Sequence, residues 1–327
     1  MRGGIVREYA VLFALALIWG ASFMFIKIGV EEVSPATVVA GRLTASVITL
    51  GLIVAFRRQL IAGWRKYWRL GVITGIVNIV IPFLLISWGE TRIPSGTASI
   101  LNATTPLFIV ILANWWIGLG HESLTVRRAL RVLVGFVGVA VTIGPSALNL
   151  TSNGGVGLLG ELAVLVAAAS YGVGGLLSRR FTGSSQLVGP LSTQVPALIL
   201  SVLIALAWSP PTHLPSLKVI LAIATLGALG TGIAYLLYFW LIYHVGPTRT
   251  SLVTYLLPCT ALLWGGLLLN EPVTWNAIAG LALVLVGTMM TNGTFTALFR
   301  RKRPSRVLAS ESLESDVEAG ALTPAAD

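Results

Sequence analysis

The chain has 327 residues, of which 55% are hydrophobic and 10% are charged, and its formal net charge is +10. A soluble domain carries about 25% charged residues, so this composition indicates a protein whose solvent is the bilayer. The positive charge is scattered among helix ends, which argues against a nucleic-acid-binding surface. Cys259 is the single cysteine, which excludes an intrachain disulfide and a Cys/His metal cluster, so we expect no metal and no cofactor.

Ten apolar segments predict ten transmembrane helices, because hydrocarbon leaves no backbone group unpaired. In chain order they lie at 8–30, 36–56, 70–90, 95–119, 126–144, 156–180, 187–208, 217–244, 248–269 and 274–298. The first is too long for a signal-peptide core and is expected to be retained. Residues 299–327 run basic and then acidic, which predicts a disordered cytoplasmic tail.

The basic residues predict the orientation. Of the 22 Lys and Arg residues, 18 fall in segments that alternate spans place on one side, while the opposite segments hold only Arg92 and Lys218. The positive-inside rule therefore predicts a multi-pass protein of a bacterial-type inner membrane, with both termini in the cytoplasm.

The second half of the chain repeats the first half at an offset of 152 residues, which becomes 149 after the fourth span, where the first half has three extra residues. The corresponding pairs include Trp19 and Tyr171, Gly75 and Gly227, Phe83 and Tyr235, Asn102 and Thr254, and Pro106 and Pro258. Five spans precede the second copy, so it is inverted in the membrane. We expect 1–145 and 156–298 to be two inverted five-helix units, a common construction of secondary transporters.

Four predicted spans carry a proline near the middle of the membrane, at Pro82, Pro106, Pro196 and Pro258. Proline has no amide hydrogen, so the carbonyl four residues earlier loses its helical partner. Those carbonyls belong to polar residues, namely Asn78, Asn102, Ser192 and Thr254. We predict gate hinges at Pro82, Pro106 and Pro258 and a hydrated cavity beside the polar side chains. The alternative is a set of packing kinks whose polar side chains satisfy the freed backbone.

Aromatic residues at the same depth form a second group, too deep for an interfacial belt. A tyrosine hydroxyl in mid-membrane needs a partner, and aromatic faces can hold an apolar or a cationic group. Ordinary core packing is the competing interpretation. Together, the predicted substrate-cavity residues are Trp19, Ser22, Asn78, Phe83, Asn102, Tyr171, Tyr235, Tyr238, Thr254 and Tyr255.

Charged residues gather toward the predicted outer mouth. We predict that Lys27 or Arg42 pairs with Glu161 or Glu90 to close an outer gate; separate snorkelling charges are the alternative. Glu271 precedes the last span, where a carboxylate is expected to offset the positive start of that helix.

These motifs resemble the drug/metabolite transporter superfamily in its EamA-repeat branch. The similar segments are Ile18–Phe23 (IWGASF), Ser251–Pro258 (SLVTYLLP) and Leu268–Pro272 (LLNEP), with Arg42 in the second helix. The resemblance covers residues 8–298. It implies a ten-helix bundle around a central cavity and the export of small metabolites, often amino acids. The aromatic residues make YddG-type aromatic amino-acid exporters the nearest comparison.

We therefore expect a transporter that exports a small-molecule substrate by alternating access, with amino acids as the first candidates and drugs or other metabolites as the alternative. A monomer in the bilayer is expected to suffice. A membrane-embedded enzyme is disfavoured because paired intramembrane carboxylates are missing from the sequence, and a channel because the sequence shows no carbonyl filter. The sequence leaves the substrate, the coupling ion and the oligomeric state open.

Overall fold

A computed structural model describes residues 2–55, 64–115, 125–144, 154–178, 180–181, 188–210 and 213–291. These residues form α-helices with two short π-helical turns, and no strand occurs among them. The predicted tail at 299–327 lies outside the described residues.

The described helices, in chain order, are α1 (Arg2–Gly29), α2 (Pro35–Ala55), α3 (Trp64–Gly75), α4 (Ile81–Glu90), α5 (Ser95–Asn102), α6 (Thr105–Trp115), α7 (Val126–Ile143), α8 (Gly154–Ser178), α9 (Val188–Trp208), α10 (Leu217–Gly227), α11 (Ala234–Thr250), α12 (Leu252–Leu268) and α13 (Trp275–Thr291). Seven stretches are long and apolar enough to cross a membrane, and three shorter apolar helices accompany them. The prediction of an all-α membrane protein with ten spans is confirmed, with α3 and α4 forming the third span, α5 and α6 the fourth, and α10 and α11 the eighth.

The packing of the helices follows the repeat. Helix α1 packs along α12, and its counterpart α8 packs along α5 and α6. Helix α3 packs on α9, just as α10 packs on α2, while α7 and α13 pack on each other. All of these pairs join one half to the other, so the two inverted five-helix units form one interlocked bundle.

The two π-helical turns occupy equivalent places in the two halves. They span Ile76–Val80, between α3 and α4, and Ala228–Ile233, between α10 and α11. The start of the first turn plus the repeat offset of 152 gives the start of the second. Pro82 follows the first turn, whereas Ala234 stands at the corresponding place in the second, so proline alone does not explain the widened turn. Such turns recur at functional sites in helices.

The prolines have two different structural effects. Pro82 lies in the first turn of α4, and Pro106 in the first turn of α6, directly after a break at Ala103 and Thr104. Proline fits there because the first turn of a helix needs no intrahelical amide donor. Pro196 and Pro258 instead lie inside the continuous helices α9 and α12.

A buried hydrogen bond joins α2 to α9 between polar side chains. The Ser46 hydroxyl donates to the Gln194 Oε1 atom at 2.6 Å, and Gln194 Nε2 is buried without a hydrogen-bond partner among the described residues. Both residues are fully buried.

Replacing Ser46 by alanine is expected to lower the free energy of unfolding by about 1–3 kcal/mol, because the Gln194 carbonyl would be left unpaired as well. Thr44→Ala is the matched control, since that exposed hydroxyl bonds only to Ala40 of its own helix. Chemical unfolding in detergent micelles measures both variants. Equal losses of unfolding free energy in the two variants would contradict a stabilising hydrogen bond between Ser46 and Gln194.

Candidate functional site

Arg42 lies at the centre of a group of polar and aromatic residues contributed by four spans. Its Nε atom donates to the Thr231 hydroxyl at 2.8 Å, and its guanidinium carbon lies 3.7 Å from the centre of the Phe83 ring. Tyr171 and Tyr235 are close enough to interact with it electrostatically. We call Arg42, Phe83, Tyr171, Thr231 and Tyr235 the Arg42 cluster.

Tyr171 and Phe83 show how the sequence builds this cluster. Tyr171 packs against two hydrophobic clusters, one around Val164 and Ala167 and the other containing Phe83 itself. It therefore lies between neighbouring layers of the bundle and away from lipid. Tyr171 and Tyr235 both keep part of their surface accessible. Partial exposure at such depth is expected of residues that line an internal space.

A second aromatic group lies next to the Arg42 cluster. The Trp19 and Tyr238 rings have centroids 5.4 Å apart, and Tyr238 in turn contacts Phe239 at 5.7 Å. The Phe239 ring also lies 6.4 Å from the Tyr235 ring, which connects the two groups. Trp19 and Tyr238 pack against an apolar cluster that includes Leu12 and Leu15. The structure thus brings five of the predicted cavity residues into one continuous row: Trp19, Phe83, Tyr171, Tyr235 and Tyr238.

Ser22 and Asn78 pack where helices approach closely. The Ser22 hydroxyl donates to the Ile18 carbonyl of its own helix at 3.1 Å and faces Gly230. Asn78 lies in the first π-helical turn against Gly174, where an added Cβ would overlap its side chain. These contacts favour a packing role for Ser22. The contact with Gly174 holds the Asn78 side chain against α8, the helix that carries Tyr171.

Asn102, Thr254 and Tyr255 are placed near the broken fourth span and its counterpart. The Asn102 Oδ1 atom is buried and has no hydrogen-bond partner among the described residues. The Thr254 hydroxyl donates to the Ser251 carbonyl at 2.6 Å, so it serves its own backbone, and Tyr255 is buried. An unpaired buried amide oxygen calls for a donor from water or a ligand, which makes Asn102 the stronger candidate of the repeat-related pair.

Lys27, Glu90 and Glu161 do not form the predicted pairs in this conformation. The Lys27 ammonium donates to the main-chain carbonyls of Glu90 and Ile93 at 2.6 and 2.9 Å. Both Glu90 carboxyl oxygens and one Glu161 oxygen are buried without hydrogen-bond partners among the described residues. The gate role of Lys27, Arg42 and Glu161 stays a prediction, with Lys27 holding α1 to the end of α4 through backbone carbonyls.

On one face of the bundle, carboxylates accept hydrogen bonds that connect the two halves. Glu271 accepts hydrogen bonds from the Ser95 amide (2.9 Å), the Ser95 hydroxyl (2.7 Å) and the Gly96 amide (3.3 Å). Glu32 accepts from the Ser216 amide and hydroxyl at 2.7 and 2.6 Å. An exposed ion pair joins Glu31 to Lys218 at 3.1 Å. We call the face that carries Glu31, Glu32 and Glu271 the carboxylate face.

The sequence interpretation of Glu271 needs a correction. Its carboxylate does not bind the start of α13, which it precedes; it binds the first amides of α5, in the other half. A carboxylate is stabilising at any helix start, and sequence order does not reveal which start lies within reach.

The Ser216 hydrogen bonds lower the pKa of the Glu32 carboxyl below its ordinary value of 4.5. Because the pKa is lowered in the folded protein, these bonds stabilise it fully when the pH is above the ordinary pKa of the carboxyl group. Their contribution is lost as the pH falls through the lowered value and the carboxylate takes up a proton.

An apolar cavity of about 410 Å³ opens between α2, α4 and α9 near the carboxylate face. None of the predicted substrate-cavity residues lines it; Trp88 and Trp208 do, which is typical of the interfacial depth of a membrane protein. The Arg42 cluster therefore remains the candidate site on chemical grounds.

The model of the EamA-like transporter family matches this chain twice, at residues 7–144 and 158–293. The chain belongs to the EamA-like transporter family. The EamA resemblance expected from the motifs is thereby confirmed.

Two relatives of this EamA-like protein are named as transporters without a stated substrate, and a third is named as a WAT1-related protein. It is 24% identical over 300 residues to the uncharacterized transporter YoaV of Bacillus subtilis, covering 91% of this chain and all of that one. It is 26% identical to the uncharacterized inner membrane transporter YedA of Escherichia coli K12, covering 85% and 89% of the two chains. The chloroplastic WAT1-related protein At3g02690 of Arabidopsis thaliana is 24% identical, covering 88% and 70%.

A solved crystal structure has the same fold. It is 20% identical, superimposes with a TM-score of 0.63, and covers 90% of this chain and 99% of its own. Together these comparisons make the EamA-like protein a multi-pass membrane transporter.

Sequence reasoning missed Thr231 and considered Glu90 in one role only. Thr231 escaped notice because a single threonine in an apolar span carries no periodic signal, although Gly230 and Gly232 beside it mark a close approach. Glu90 was considered only as a partner for a gate cation, yet it is fully buried and its carboxyl has no donor among the described residues. Unpaired carboxyl oxygens can be recognised only from coordinates.

Proposed function

We propose that this EamA-like protein exports small metabolites, amino acids in particular, by alternating access between its two halves. The observation that carries the proposal is the Arg42 cluster, a buried cation among aromatic rings. Buried charge inside a membrane is expensive and marks substrate pathways. The adjoining Trp19–Tyr238 pair favours solutes with an aromatic or large apolar side chain.

The carboxylate face supports the alternating-access mechanism. Glu32 and Glu271 each bond from one half to the other. In the proposed orientation, with both termini in the cytoplasm of a bacterial-type inner membrane, this face lies outside. The fastened state is then the one in which the outer pathway is closed, and breaking these bonds is the first step toward release. A single chain contains both halves of the site, so a monomer suffices.

The proposal is tested by uptake of radiolabelled amino acids into proteoliposomes, with and without a pH gradient. Uptake of aromatic amino acids above that of empty liposomes is the expected result. Export of drugs or other metabolites is the second candidate, and a panel of planar aromatic compounds covers it. If none of these solutes crossed faster than through empty liposomes, the proposal would be wrong.

In the same assay, Trp19→Ala is expected to raise the half-saturating concentration of phenylalanine about tenfold, since an aromatic pair and its buried area are lost. Trp275→Ala is the matched control, because that tryptophan is 83% exposed at the start of α13. A Trp19 variant that transported like the Trp275 variant would remove the aromatic row from the site.

A further inference from the structure

Arg42 is a buried cation whose hydrogen-bonding capacity is largely unused. The residue is 8% exposed, and Nε holds its one side-chain hydrogen bond among the described residues. The terminal nitrogens Nη1 and Nη2 have no protein partner there, yet they keep accessible surface. A guanidinium carries five donors in a rigid fork, so the terminal pair is free to meet a ligand.

The surroundings of Arg42 hold the guanidinium in one orientation. Thr231 accepts the hydrogen bond from Nε and donates its own proton to the Leu226 carbonyl at 3.3 Å, so its role as acceptor is fixed. The Phe83 ring lies against the guanidinium at 3.7 Å. One anchor at Nε and one ring at the planar face leave the edge with Nη1 and Nη2 as the open side. A group held in this way gives up little entropy on binding.

Arg42 has no counter-ion in contact with it in the part of the chain that the structure describes. No carboxylate of the described residues lies within 4 Å of it, and Glu90, with which it interacts electrostatically, makes no hydrogen bond to it. The other titratable groups near it are the uncharged hydroxyls of Tyr171 and Tyr235. A cation left without a counter-ion inside a membrane bundle calls for an anion from outside the chain.

We propose that Nη1 and Nη2 of Arg42 bind the carboxylate of the transported solute, which makes the substrate class small carboxylic acids with an aromatic or apolar side chain. This inference rests on the proposed transport function. The planar fork matches a carboxylate with two parallel hydrogen bonds. A phosphate dianion fits less well, because the polar neighbours of Arg42 are Glu90 and the hydroxyls of Tyr171, Tyr235 and Thr231, with no second cation among them. The side chain of the solute extends toward Tyr235, Tyr238 and Trp19.

The direct test measures thermal stabilisation of the full chain, purified in detergent, by matched ligands. L-Phenylalanine, L-leucine and phenylacetate are compared with phenylalanine amide, leucine amide and phenethylamine. The carboxylates are expected to stabilise the protein, and the amides and the amine are expected to have at least about tenfold weaker effects at equal concentration, since they lack the second charge-assisted bond.

Arg42→Gln is expected to weaken the binding of the carboxylate ligands about thirtyfold. Arg42→Lys is expected to restore part of that loss, because lysine keeps the charge without the planar fork. Thr231→Val should weaken their binding less, since it removes only the hydroxyl that accepts the hydrogen bond from Arg42 Nε. Arg131→Gln is the matched control, an arginine of α7 that donates to the Met290 carbonyl. Its ligand response is expected to equal that of the unsubstituted protein.

The outcomes separate the two proposals. Three results would each overturn the carboxylate site. The amides or the amine could stabilise the protein as well as the carboxylates do, or no carboxylate could stabilise it. The third such result is a ligand response of Arg42→Gln that equals that of Arg131→Gln. A carboxylate response that depends on Arg42, together with no transport of any panel solute in proteoliposomes, would support the binding site and reject the transport function.

Discussion

Replacing Gly280 by leucine is expected to lower the free energy of unfolding by about 3 kcal/mol, at the upper end of the usual cost of overpacking. Helices α7 and α13 meet at glycines. A Cβ at Gly280 would lie 2.7 Å from the Gly138 carbonyl oxygen and 2.8 Å from the Thr142 nitrogen. Both are backbone atoms, so no side-chain rotation relieves the overlap and the helices must separate.

Thermal unfolding of the detergent-purified variant, followed by loss of monodisperse protein on size-exclusion chromatography, measures the effect. Gly157→Leu is the matched control, because a Cβ at Gly157 in α8 meets nothing within 4 Å. Equal midpoints for the two variants would show that α7 and α13 are not in close contact. Small residues allow this approach because helices in lipid associate through packing and not through a hydrophobic effect.

The Glu271→Ala variant is expected to open the carboxylate face. Three hydrogen bonds to Ser95 and Gly96 are lost, two of them from the first amides of α5. Hydrogen bonds to a charged acceptor contribute about 1.5–3 kcal/mol each, but part of this is recovered by water, so we expect a net loss of about 2–3 kcal/mol.

Hydrogen–deuterium exchange of the peptide that contains Ser95 and Gly96 reports this loss, with protection expected to fall on the order of thirtyfold. Glu31→Ala removes an exposed ion pair on the same face and serves as the control, with little change expected. Unchanged exchange in the Glu271 variant would mean that other contacts keep the two halves together.

The spans and the repeat could be predicted because they depend on patterns that the bilayer imposes. Apolar length marked the ten helices, and the constant register that relates Trp19 to Tyr171 also places both π-helical turns at equivalent positions. The widened turns themselves were not predicted. Proline was the signal used for irregular helices, and the turn at Ala228–Ile233 has none.

The candidate site was predicted in part. Depth and residue type selected Trp19, Phe83, Tyr171, Tyr235 and Tyr238, which the structure brings into one row. Partners within the bundle were not accessible to sequence reasoning. Lys27 binds main-chain carbonyls, which every residue possesses and which therefore leave no mark in a sequence. Arg42 was assigned to a gate from its position along α2, whereas its contact with Thr231 depends on how two spans cross.

The matched π-helical turns bear on the ancestry of the protein. One extra residue in a helix rotates everything beyond it by about 100°. An insertion that occurred in one copy after duplication would have shifted the register between Gly75 and Phe83 relative to Gly227 and Tyr235, but the offset is 152 on both sides. A widened turn that was present in a five-helix ancestor before its duplication accounts for both copies by a single event.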